Sequence, residues 1–167
     1  MKRQYTSRAK NGGKRGMAGF SLIELLIVVA IILIIAGIAI PNYMRSRMVA
    51  NEAATVQNMR NIMTSEVGYS TTYSLGYSAT LANMGGVGGS PTAAGLIDDV
   101  LASGSKSGFT YTYVPTTPDP LGRPQGFVLN ADPLNFGSTG QRYFYVDQSG
   151  VIRQSFSAQA TATDNPI

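Results

Sequence analysis

One stretch limits what this chain can fold into more than any other: Phe20 to Ile40, reading FSLIELLIVVAIILIIAGIAI. Of these 21 residues only Ser21 and Glu24 are distinctly polar. As a helix rising about 1.5 Å per residue the run spans roughly 31 Å, close to the ~30 Å hydrocarbon core of a bilayer. Water cannot host it, so it lies in a membrane or inside an assembly that excludes water. Glu24 is the exception within it. A carboxylate at the centre of a spanning helix costs about 2.5–3.5 kcal/mol, and somewhat less near an end, so Glu24 needs a partner or a function.

Before the run stand Lys2, Arg3, Arg8, Lys10, Lys14 and Arg15 with no acidic residue among them, then Gly16-Met17-Ala18-Gly19. Gly19-Phe20-Ser21-Leu22-Ile23-Glu24, followed by the apolar run and Pro41, resembles the processing site of type IV prepilins and the related pseudopilins. The resemblance is specific from Gly19 to about Arg60 and only architectural beyond. It implies a basic leader, residues 1–19, removed after Gly19 by a prepilin peptidase, and N-methylation of Phe20. It also implies an assembly role for Glu24, whose carboxylate would meet the new Phe20 ammonium of a neighbouring subunit. The alternative pairing is with the chain's own N-terminus or with headgroups. A secretory signal is the competing reading, with small residues at Gly37-Ile38-Ala39; an uncleaved anchor is another. The apolar core is longer than a signal's 7–15 residues and contains a glutamate, which favours processing after Gly19.

The chain has 167 residues and a net charge of +4. That charge is unevenly placed. The first nineteen residues hold six of the thirteen Lys and Arg and none of the nine Asp and Glu, leaving −2 on the rest. The basic balance is therefore no argument for nucleic-acid binding by the remainder. It predicts orientation instead: N-terminus cytoplasmic, C-terminal part outside, with Arg45 and Arg47 opposing from the other flank. Cysteine and histidine are both absent. This excludes disulfides, thiolate catalysis, zinc sites of ordinary ligand type and Ser-His-Asp triads.

The segments expected are a spanning and filament-core helix over 20–41, an amphipathic helix over 42–73, a loop with a short helix over 74–107, and an antiparallel sheet with a C-terminal tail over 108–167. Gly37 and Pro41 stand one turn apart and should bend or loosen the helix, either as a fixed kink or as a segment that unwinds on assembly. Beyond Pro41, Met44, Met48, Val56, Met59, Met63 and Val67 form an apolar stripe interrupted by Glu52, with Arg47, Asn51, Thr55, Asn58 and Asn61 opposite. Tyr69, Tyr73 and Tyr77 continue the four-residue spacing as buried ring faces.

Met84-Gly85-Gly86-Val87-Gly88-Gly89 reads as the loosest part, and Ser90–Leu101 as a short helix with Pro91 in its first turn. Period-two patterning marks strands at 109–114, 126–131, 142–146 and 151–155, the last two joined by a tight turn at Asp147–Gly150. The last ten residues read as a loose tail. The fold class is α+β: by resemblance a type IV pilin-like fold, one long N-terminal helix packed on a 3–4-stranded antiparallel sheet.

Asp119-Pro120-Leu121-Gly122 partly resembles a stretch that helps to form a calcium site in major pseudopilins, with leucine replacing the aromatic residue. Asp119, Asp132 and Asp147 are candidate ligands for such an ion. Turn formation without an ion is the simpler account, and no cofactor is expected. No catalytic constellation stands up, so the chain reads as non-enzymatic. By resemblance it is a type IV pilus subunit that polymerises with itself for adhesion, twitching motility or DNA uptake. Its partners would be the prepilin peptidase, an inner-membrane assembly platform, other minor pilins, membrane lipid before assembly, and DNA only as a filament ligand. It would sit in the cytoplasmic membrane before assembly and in an extracellular filament afterwards. The alternatives are a type II secretion pseudopilin and a membrane-tethered binding domain that never polymerises.

Overall fold

The computed structural model describes residues 19–167, so the expectations for the leader fall outside the described residues except at Gly19. Two compact units divide the chain, one ending at Ala39 and one running over Ile40–Ile167. Helix α1, Leu22–Tyr73, contributes to both and remains helical through Gly37 and Pro41. In the first unit the large apolar side chains of α1 all stand exposed. The helix qualifies by length and hydropathy as a membrane span.

The second unit is α1 from Ile40 onward, laid on an antiparallel sheet in strict meander order: β1 (Ser105–Lys106), β2 (Phe109–Pro118), β3 (Pro124–Pro133), β4 (Tyr143–Asp147), β5 (Arg153–Ser155) and β6 (Asn165–Pro166). The sheet therefore has six strands rather than three or four. The additions are two-residue edge strands: Ser105 pairs Thr110 on one side, and Gln154 pairs Asn165 on the other. Short edges with a proline offer little backbone for a foreign strand to pair with. Meander connectivity follows from short links, of which the β4–β5 turn is the clearest. Asp147 Oδ1 accepts the Ser149 N–H at 2.9 Å, and Gly150 turns the chain at φ +79°.

The core joins Met59, Ile62 and Tyr69 of α1 to Phe109, Leu129, Ala131, Phe144 and Val146 of the sheet. Each large apolar side chain sealed there contributes about 1.5–3 kcal/mol. Gly140 lies directly on the Phe109 ring, where any side chain would displace it.

Three expectations are corrected. The buried stripe of α1 is Met48, Glu52, Thr55, Asn58, Met59, Ile62, Glu66 and Tyr69, rotated from the one the apolar residues suggest. Val67 is 57 % exposed and Met44 is exposed too, while Thr55 and Asn58 point inward. Asn58 holds its inward position through a hydrogen bond to the Tyr111 hydroxyl of β2, whereas the buried Thr55 hydroxyl has no partner.

The helix expected over Ser90–Leu101 is only α2, Asp99–Ala102, capped by the Asp98 carboxylate on the Leu101 N–H at 3.0 Å. Upstream, Gly95 takes φ +64°, and the backbone is spent on another partner. Ala94 N–H donates to Asn83 O at 2.8 Å and Leu96 N–H to Met84 O at 2.7 Å. Those carbonyls belong to a 3-10 turn at Leu81–Met84, so the stretch read as loosest is tied down where it begins.

The C-terminal stretch is not loose. Ala160 is 1 % exposed and its carbonyl accepts from Asn130 Nδ2 at 2.8 Å, while Gln159 Nε2 donates to Asp132 at 2.7 Å. The donor Asn130 and the acceptor Asp132 both lie on β3, so residues 159–160 strap across the sheet before β6 joins its edge. Arg153 Nη1 donates to Asp164 O at 2.9 Å and fixes the turn that leads into β6.

Candidate functional site

The N-terminal junction builds itself locally. The Leu25 N–H donates to Ser21 O at 3.3 Å, so Ser21 is the residue that caps α1. Glu24, three positions on, reaches back to accept the Ser21 N–H at 2.9 Å through Oε2. This is the glutamate half of a capping box, and the carboxylate also meets the positive end of the helix dipole, an effect of about 0.3–1 kcal/mol. The Ser-x-x-Glu spacing is readable in the sequence, yet the cap escaped a reading focused on charge in hydrocarbon. Gly19 and Phe20 precede the helix in non-helical backbone, and Phe20 is 81 % exposed. Gly19, Phe20 and Glu24 thus gather at one helix start, while Gly37 and Pro41 lie within α1.

In the second unit three polar links tie α1 to the sheet region and to the loop that follows the helix, and none is among the sequence expectations. Glu52 accepts from Arg142 Nε at 2.9 Å and from the Gln141 N–H at 2.7 Å. Asn58 Nδ2 donates to the Tyr111 hydroxyl at 3.0 Å. Glu66, fully buried, accepts the Ser78 N–H at 2.9 Å and the Ser78 hydroxyl at 2.6 Å. The Tyr113 hydroxyl closes that network on Ser78 O at 2.9 Å. Burial, reinforced by the nearby Glu66 charge, pushes the Tyr113 phenol well above its ordinary value. A signal existed: Glu52, Thr55, Met59, Ile62, Glu66 and Tyr69 alternate at three and four residues, so both glutamates lie on the stripe that holds Met59.

The three aspartates proposed as ion ligands are not brought together. Among the described residues no group of three or more Asp, Glu, His or Cys is placed to hold a metal. Asp119 Oδ1 accepts from the N–H groups of Leu121 and Arg123, both at 2.9 Å, and Oδ2 takes Arg123 Nε at 2.7 Å. The Arg123 backbone donor, with its side chain, holds the Asp119 carboxyl below its ordinary value. Asp147 is also lowered; burial pulls it upward, but the Ser149 and Tyr145 donors outweigh that. Asp132 differs. Burial raises it against the bond from Gln159, and its Oδ1 is buried with no partner.

The family model described as the prokaryotic N-terminal methylation motif matches residues 14–40. This motif is the hallmark of type IV prepilin-like proteins, and over that N-terminal segment the chain is similar to them. Proteins of that kind are structural, are processed by a prepilin peptidase and assemble into filaments with pilins. The N-terminal part of α1 is long and apolar enough to cross a membrane, as an anchor of such a protein would be. No curated protein and no solved structure matches the chain at significant similarity.

Proposed function

We propose that this chain is a structural subunit of a type IV pilus. The methylation motif over residues 14–40 is the observation that carries the reading. Cleavage follows Gly19, Phe20 becomes the methylated N-terminus, and the apolar part of α1 leaves the bilayer for a filament core made of its own copies. Glu24 is the residue on which assembly turns. In the uncut chain its carboxylate is held by the Ser21 N–H; once cleavage frees an ammonium at Phe20, a neighbour's amine offers a stronger, charge-assisted donor in the same water-poor setting. The second unit supplies the outer face. Contacts between unlike patches that do not close into a ring generate an open helical polymer, which suits adhesion, twitching motility or DNA uptake.

Shearing cells and viewing the released material by electron microscopy tests this, with N-terminal sequencing of the protein band. Long fibres whose subunit begins at methylated Phe20 are expected. A type II secretion pseudopilin is the second reading, favoured by the Asp119-Pro120-Leu121-Gly122 turn; fibres seen only on overexpression would select it. No fibres under either condition would leave a tethered binding domain instead.

A further inference from the structure

A groove of about 510 Å³ in the second unit runs between α1, at Arg60 and Met63, the β4–β5 turn, at Gly150–Ile152, and Ile167. Its walls are largely aliphatic. Arg60 is exposed and makes no ion pair among the described residues. The groove lies at the β5–β6 side of the sheet, where the Ile167 N–H donates to Ile152 O at 3.1 Å.

The opposite edge carries a shape of the opposite character. Beside β1, α2 projects Val100, 59 % exposed, with Leu96 exposed just before it. Two carboxylates flank that knob. Lys106 occupies Asp98 at 2.6 Å and, as its principal hydrogen-bond partner, lowers its carboxyl. Asp99 has no cation among the described residues; its Oδ1 accepts the Gly86 N–H at 2.8 Å. One edge of the sheet therefore bears an apolar knob with an uncompensated acid, and the other an apolar groove with an uncompensated base.

We propose that the α2 knob of one copy seats in the α1/β4–β5 groove of a second copy, with Val100 and Leu96 against the aliphatic walls and Asp99 facing Arg60. The proposal rests on the assembly reading above and names the lateral contact within it. The exposed ion pair adds little affinity; its part is to set register and exclude wrong pairings, while the apolar side chains supply attraction. Because knob and groove occupy different edges, each copy offers a free groove after its knob is used, so the contact propagates.

The absence of cysteine makes the test clean. The full chain carrying both Val100→Cys and Val151→Cys is assembled, sheared from cells and treated with diamide. A ladder of covalent multimers on a non-reducing gel, collapsed by dithiothreitol, is expected; each single variant stays monomeric. Fibres seen by microscopy that yield only monomer overturn the contact and leave the assembly reading standing. Dimer from Val100→Cys alone overturns it in favour of a knob-on-knob arrangement. Absence of fibres from the unsubstituted chain overturns both. If the double variant does not assemble, Leu96→Cys with Val151→Cys is read by the same ladder.

Discussion

Arg142 grips Glu52 through two nitrogens, Nε at 2.9 Å and Nη2 at 2.8 Å, joining the buried face of α1 to the start of β4. Ninety residues separate the pair in sequence. The same guanidinium donates to Gln154 Oε1 at 2.8 Å and lies 5.4 Å from the Phe144 ring centroid, so one side chain ties α1, β4 and β5 together. Glu52→Ala leaves a half-buried guanidinium and the Gln141 N–H without their acceptor. A loss on the order of 3 kcal/mol is expected, read as a lower midpoint in thermal unfolding of detergent-solubilised protein. The Glu52→Ala/Arg142→Ala double variant should lose clearly less than the sum of the singles; simple additivity would show that the pair is not coupled.

Glu66→Ala strands two donors of Ser78 in the core. With an orphaned buried donor costing about 1–3 kcal/mol, the expected loss is at least ~2 kcal/mol. Glu66→Gln keeps one acceptor and should cost less than the alanine. If the two variants unfolded at the same midpoint as the unsubstituted chain, the network would have no role in stability.

Asp132 and its fellow aspartates predict opposite pH slopes. A carboxyl raised by folding binds more protons in the native state, so just above the ordinary carboxylate range stability falls as pH rises. Asp98, Asp119 and Asp147 are lowered, so their contribution is present above the ordinary value and is lost as pH falls through their depressed folded values. Asp132→Asn should remove the first slope and leave the acid-side loss. Unfolding midpoints measured across mildly acidic pH, compared between the two proteins, decide this; identical profiles would refute the assignment.

Calcium should leave the unfolding midpoint unmoved, because each oxygen of Asp119 is already committed to Arg123 or to turn amides. Arg123→Ala should lower the midpoint, since Arg123 also donates to Ser74 O, just past the end of α1, at 3.4 Å. A rise of several degrees on adding millimolar calcium to the unsubstituted chain would establish an ion site after all.

Glu24→Ala should yield protein that is made and processed but assembles poorly, measured as sheared fibre per cell. Gly19→Leu should block processing and leave a larger band on a denaturing gel. Normal fibre yield from the first variant would refute the pairing role given to Glu24.

The apolar run, its cap and the methylation motif were open to reading because everything that defines them lies close together in the chain: length against bilayer thickness, glycine before Phe20, glutamate three residues past Ser21. The four main strands were legible for a similar reason, since alternation of side chains is a local property. What the sequence alone could not decide was which partners the inward-facing polar residues of α1 would meet, because Arg142, Tyr111 and Ser78 lie 90, 53 and 12 residues away from them. Only folding brought those partners within bonding distance. It likewise turned a polar C-terminal stretch into a strap, through an asparagine on β3 that hydrophobic patterning could not single out. Solvent, whether lipid or water, acts on each residue where it stands, but a buried hydrogen bond needs two residues to meet.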